Sequence, residues 1–408
     1  MGKDTGRAGE AVDRAAAAVS PEDAVHKAVL LRAWQNALDQ LKKENKGPGV
    51  LSSSENALAS RLQSYLAEKA IAEGARTVLL PDGSREVKFD NLDIFPWIGT
   101  GLQGLFHVEP HPFVPPDPVA TPIADDAHVA LFSDWGTGLY GAPAIRDSIA
   151  RDRQPFHIVM HLGDTYYSGS RNEIRQRLID MWPRRTASLN VALNGNHEMY
   201  SGGWAYFDAA LRFCRQHSSC AAFQNSNWLL ACLDTAWTEH DIDEDKTRQL
   251  FWLKTLIANA GARKVILFSH HQPYSQLDGQ GPHLQTALKD ILESGRVSAW
   301  YFGHEHRCVL YNPHSRWGLK ARCVGHGGFP AFRDKFGAPR SSGYEWRFLP
   351  ATDQAPAAQV LDGPNPYVES PLFEYSPHGY ATLQFNGVAC LETYLLPDAT
   401  VVSGPSAI

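Results

Sequence analysis

The strongest constraint in this chain is a carboxylate at the end of an apolar run. Phe156 to Met160 has the composition of a buried strand, and His161-Leu162-Gly163-Asp164-Thr165-Tyr166-Tyr167 follows it. An aspartate at the end of a buried strand is costly unless a cation compensates it. Four other apolar runs end in the same kind of chemistry. Val129 to Ser133 leads into Asp134-Trp135-Gly136, and Asn190 to Leu193 leads towards Gly195-Asn196-His197-Glu198. Lys264 to Phe268 leads into Ser269-His270-His271, and Val297 to Phe302 leads into Gly303-His304-Glu305-His306. Read singly, each block is more often a turn than a site. Five in order, each at a predicted strand end, form a pattern.

The rest of the chain sets the bounds. Its 408 residues suggest two to three domains, and 43% hydrophobic against 20% charged residues allows a large core. A net charge of -6 gives no electrostatic case for nucleic-acid binding or a polybasic membrane anchor. No apolar run reaches the ~18 residues that a membrane span needs, and the polar N-terminus lacks a secretory signal. The six cysteines are scattered, without a C-x-x-C, and read as buried thiols of a cytoplasmic protein.

The N-terminal part predicts helices. Ser20-Pro21-Glu22-Asp23 starts one, with Leu30, Trp34, Leu38 and Leu41 at helical spacing, and Leu58, Leu62 and Leu66 mark a second. Residues 1–75 therefore read as a helical hairpin extension, and 76–125 as a small hairpin and a proline-rich connector. From 126 to 408 strands alternate with helices, expected over 142–152, 172–182, 204–214, 245–260 and 283–294. Residues 330–377, rich in proline and carrying Arg333, Arg340 and Arg347, read as a long loop. Asn386-Gly387 between two alternating runs predicts a C-terminal hairpin.

The five blocks resemble the calcineurin-like metallophosphoesterase superfamily, and their spelling is most similar to its purple acid phosphatase branch: D-x-G, G-D-x-x-Y, G-N-H-E, a strand ending in His, and G-H-x-H. The broader superfamily writes a histidine ligand where this chain has Gly136. In the purple branch a tyrosinate replaces it, matched here by Tyr167 at the +3 position, with Tyr166 expected to be a packed aromatic. The resemblance implies an α/β fold, a two-sheet mixed β-sandwich flanked by helices. It also implies two metal ions per chain, Fe with Zn, Mn or Fe. One ion would take Asp134, Asp164, Tyr167 and His306. The other would take Asp164, Asn196, His270 and His304.

Two alignments compete for the fourth block. His-x-Pro spelling favours His271, whereas a preceding small residue and the count from the strand start favour His270. His270 is the preferred ligand and His271 its neighbour. His197 is the expected general acid. Glu198, His161, Asp234 and His326 are candidates for supporting or substrate-facing places. The implied reaction is hydrolysis of a small phosphate monoester by a metal-bound hydroxide. The alternatives are a phosphodiesterase acting on cyclic nucleotides or phospholipid headgroups, and a non-catalytic metal-stabilised binding protein. Oligomeric state and substrate are left open.

Overall fold

The computed structural model describes residues 108–184, 189–278, 283–333, 342–368 and 375–408, together with 36, 57–61, 63–64, 77–79 and 85–87. Most of the expected N-terminal hairpin, and Arg340, lie outside the described residues.

Two mixed sheets stack face to face. The six-stranded sheet runs Val401–Ala407, Ala389–Leu395, Tyr380–Asn386, His128–Phe132, Ile158–His161 and Leu189–Ala192 from edge to edge. Its last three strands are mutually parallel. The nine-stranded sheet runs Glu345–Leu349, Ala358–Asp362, Cys308–Tyr311, Lys320–Val324, Val297–Phe302, Lys264–Phe268, Trp228–Cys232, Ala221–Gln224 and Thr121–Pro122. Its central four strands, from Lys320–Val324 to Trp228–Cys232, are parallel.

Strand periodicity explains the layering. Alternate residues of a strand point to opposite faces. Val129, Leu131, Ile158 and Met160 face Leu230, Ile266, Phe268 and Tyr301 in the core between the sheets. Ala130, Phe132 and Val159 point the other way, onto the helix Ala142–Arg151 and the helical segments spanning 171–179 and 206–214. Leu229, Val265 and Trp300 do the same on the outer face of the larger sheet, against the helix Gln249–Asn259 and the segments His283–Ala287 and Lys289–Glu293. The result is the expected two-sheet sandwich flanked by helices.

The expected C-terminal hairpin forms around Gly387 (φ +58). The long loop expected over 330–377 does not hold throughout. Glu345–Leu349 and Ala358–Asp362 pair antiparallel and extend the larger sheet to its edge. Glu345–Leu349 has no fully buried residue, and Ala358–Asp362 carries the exposed Gln359 and the charged Asp362, so neither has the strongly apolar signature of the central strands. The proline-rich connector ends in Thr121–Pro122, which occupies the opposite edge, where a missing N–H is tolerated.

Parallel strands send their C-terminal ends to one side of a sheet. Asp134, Asp164 and Asn196 follow three parallel strands of the smaller sheet; His270, His304 and His306 follow two of the larger. The sandwich thus brings five separate loops to one place.

Candidate metal centre

Asp134, Asp164 and His306 form one group of donor atoms within 4.8 Å of one another, and Asp164, His270 and His304 form a second. Asp164 belongs to both. It is 1% exposed, and Asp134 and His270 are fully buried. Asn196 completes the second group: its Oδ1 lies 3.0 Å from His270 Nε2 and 3.1 Å from His304 Nδ1.

These contacts need a proton or a cation between them. His270 Nδ1 lies 2.9 Å from the Leu162 carbonyl, which can only accept, so Nδ1 carries the ring proton. In a neutral ring Nε2 is then a lone pair, and it faces Asp164 Oδ2 at 3.2 Å as well as Asn196 Oδ1. Asn196 Nδ2 donates to the Tyr200 hydroxyl, leaving Oδ1 towards the site. Three acceptors converge on one point, and only a proton or a cation satisfies them. The electrostatics carry the same sign. Burial would lower the His270 pKa, but Asp164, Asp134 and Glu198 overcome it and pull it up to about 9. Asp134 is pushed well above the carboxylate range by burial and by Asp164, against the pull of His270, and its Oδ1 has no hydrogen-bond partner. The donor sets fit a pair of cations.

The backbone is bent to make these sets. Asp134 (φ 55), Asp164 (φ 75), His304 (φ 67) and His306 (φ 53) all adopt the left-handed region. That region is unfavourable for such residues and clusters at functional sites. Glu198 braces the turn. Its Oε2 accepts from the Asp164 and Gly195 amides at 3.1 and 2.9 Å, and its Oε1 from Thr165 at 2.8 Å. Burial, with Asp164 next, pushes this carboxyl up to about 7 in the metal-free chain. Gly163 (φ +106) allows the approach of His270, because a Cβ there would sit 2.8 Å from its Nδ1.

The tyrosine expectation is revised. The hydroxyl at the first group belongs to Tyr166: it donates to Asp164 Oδ2 at 3.1 Å and meets His306 Nε2 at 2.5 Å. Tyr167 is tied down through its main chain and ring. Its amide goes to Glu173, its carbonyl accepts from His197 Nδ1 at 2.6 Å, and the Arg177 guanidinium lies over its ring. Gly136 explains the space. A Cβ at 136 would lie 2.8 Å from Tyr166 Cδ2 and 3.0 Å from Phe329 Cδ2, so the missing side chain is what admits the Tyr166 ring.

The remaining candidates separate. His270, not His271, faces Asp164; His271 Nδ1 bonds Thr235 Oγ1 at 2.9 Å. His197 donates its amide to Asp164 Oδ1 at 3.1 Å and packs edge-on to Tyr166. Burial depresses its pKa to about 4, so the ring is neutral. His161 packs beside Phe132 and Trp135, and Asp234 is held by the Asn194 amide and the Ala236 and Trp237 N–H groups. His326 is buried at the Gly379 turn. These three belong to the frame. Arg333 and Arg347 both pair with Asp362. Sequence reading missed Tyr166, His240, Asp278 and Glu173; none has a motif, and only the doublet Tyr166-Tyr167 hinted at an alternative.

Residues 127–308 match the family model of the calcineurin-like phosphoesterases. No curated protein matches the chain. Among solved structures, purple acid phosphatase PPD1 from yellow lupin is similar at 15% identity and a TM-score of 0.48, over 71% of this chain and 54% of that one. This chain thus spans about half the length of the lupin enzyme. GAP50, the anchor in the inner membrane complex of Plasmodium, is similar at 13% identity and TM-score 0.45, over 69% and 89% of the two chains. PhoD is similar at 14% identity and TM-score 0.43, over 72% and 69%. Asp134, Asp164, Tyr166, Asn196, His270, His304 and His306 all fall inside the segment, residues 127–308, that matches the calcineurin-like phosphoesterase model.

Proposed function

We propose that this chain is a dinuclear metal-dependent phosphoesterase acting on a small phosphate monoester. The observation that carries the reading is the sharing of Asp164 between two buried sets of converging acceptors. Two bound ions would neutralise the phosphoryl oxygens and lower the pKa of a water between them. Asp134, Tyr166 and His306 would hold one ion with Asp164, and a tyrosine oxygen in that set suits Fe(III). Asn196, His270 and His304 would hold the other, and their mixed nitrogen and oxygen donors suit Zn, Mn or Fe(II). The Leu162 carbonyl fixes His270 in the tautomer that such a role requires.

His197 is the proton carrier in this reading. The Tyr167 carbonyl holds its Nδ1 proton, and burial keeps the ring neutral. An anionic phosphoryl group beside it raises its basicity, so it takes up a proton only with substrate present and passes it to the leaving oxygen. Six buried free thiols support a reducing compartment such as the cytoplasm. Among the described residues no helix is long and apolar enough to cross a membrane.

The test combines elemental analysis with turnover of p-nitrophenyl phosphate and bis-p-nitrophenyl phosphate. Two ions per chain at the Asp164-linked sets and faster monoester cleavage are expected. Faster diester cleavage would move the reading to a phosphodiesterase, and bound metal without turnover of either ester would refute the enzyme. His197→Ala should keep the metals and lose ~10²-fold in kcat, with a smaller loss for esters whose leaving group needs no proton.

A further inference from the structure

A third group of nitrogen donors lies beside the second set. His240 (φ 70) stands in the turn after strand Trp228–Cys232, and its ring stacks on His271 with centroids 3.8 Å apart. The His304 ring is 5.3 Å from His240 and 4.8 Å from His271. One ligand atom from each of the three falls within 4.8 Å of the others. His271 is fully buried. Its Nδ1 meets Thr235 Oγ1 at 2.9 Å, and the same hydroxyl accepts the His271 amide at 3.1 Å. Its Nε2, equally buried, has no hydrogen-bond partner. Leaving such a nitrogen unsatisfied is destabilising.

His304 has one edge for each neighbour. Its Nδ1 faces Asn196 and His270, and its Nε2 lies 3.4 Å from Asp278 Oδ2. A carboxylate at the rim favours a cation over an anion. Donor atoms within 4.8 Å of one another suit a single ion.

We propose that His240, His271 and His304, with Asp278 at the rim, form a third divalent-cation site, distinct from the two sets joined by Asp164. Three imidazoles and a carboxylate are an N3O set of the kind that binds zinc tetrahedrally. In the tautomer that gives its Nδ1 proton to Thr235 Oγ1, His271 keeps Nε2 as the ligand lone pair, and the bond locks the ring as a supporting hydrogen bond does at metal sites. His304 is shared with the second set. The half-buried His240 marks the side from which the ion enters.

The experiment uses the full chain, stripped with chelator and equilibrated with Zn²⁺ at stepped free concentrations. Stoichiometry is read by elemental analysis, and positions by anomalous diffraction at the zinc edge. The expected result is a peak inside the His240–His271–His304 triangle. His240→Ala and the gentler His240→Gln should weaken that site by at least ~100-fold, more than losing a merely supporting group does, and leave the other peaks in place. Because His240 is half-buried and contributes to neither of the other sets, the variants should fold, which circular dichroism checks. No density in the triangle at saturating zinc, or unchanged occupancy in both variants, would overturn the proposal. A peak in the triangle with the Asp164 sets empty would instead sustain the third site and sink the dinuclear reading.

Discussion

Glu198→Gln isolates the brace beneath the centre. The wild-type carboxylate takes three buried amides, those of Asp164, Thr165 and Gly195, and the side chain is 1% exposed. A glutamine of the same shape offers one oxygen. Placed where Oε2 stands, that oxygen keeps the Asp164 and Gly195 bonds, and the new NH2 then meets the Thr165 N–H donor to donor. One unsatisfied buried amide costs ~1–3 kcal/mol. The two remaining bonds lose their charge assistance, which roughly halves each. The sum is about 2–4 kcal/mol of stability. It should appear as a lower urea midpoint with unchanged slope, measured on metal-free protein at pH 8, above the pH of about 7 at which this carboxyl titrates. The same variant should bind zinc at the Asp164 sets ~10- to 100-fold more weakly in a chelator competition, because the carboxylate and Asn196 are no longer held in register. A midpoint and a zinc affinity both equal to wild type would refute the reasoning, and with it the view that Glu198 places Asp164.

Tyr166→Phe should abolish the visible charge-transfer band of an aerobically iron-loaded protein, and Tyr167→Phe should keep it; the reverse pattern would restore the assignment expected from spacing alone. Glu392 is buried between the sheets, bonded to Arg322, Tyr301 and Tyr394. Burial alone would raise its carboxyl, but Arg322 and the two hydroxyls hold it below the ordinary 4.5. Its folded pKa is thus below the unfolded one, so the stability it contributes is complete above about 4.5 and is lost as pH falls through the lower folded value. Glu392→Gln should cost about 3–5 kcal/mol at pH 7 and flatten the acid limb of a plot of Tm against pH; parallel limbs would contradict this. Ser64, in a helical segment, contacts Glu173 Oε1 at 2.9 Å and Ser168 Oγ at 2.8 Å, and Glu173 in turn holds the Tyr167 and Ser168 amides. Ser64→Ala should therefore raise KM or lower kcat several-fold without changing metal content, whereas unchanged kinetics would separate the N-terminal segment from the site.

Much of the fold is legible in local pattern. Apolar runs of four to six residues mark the central strands because both of their faces are buried, and Asn386-Gly387 marks the terminal hairpin because a tight turn needs a residue at ease with positive φ. The carboxylates and imidazoles at five strand ends are legible for a related reason: no isolated core position tolerates them without a compensating charge. What is not written locally depends on distant neighbours. The Tyr166 hydroxyl reaches Asp164 because Gly136, thirty residues away, leaves room for its ring. His270 rather than His271 faces the carboxylate because the Leu162 carbonyl and Thr235, on other strands' loops, each take one ring. The pairing of Glu345–Leu349 with Ala358–Asp362 needs the edge supplied by Cys308–Tyr311. His240 carries no motif and gains its neighbours only when two parallel strands of the larger sheet end side by side. Periodicity and composition govern elements and burial. The side that a given atom faces is set by contacts far away in sequence, and only the packed tertiary structure supplies those.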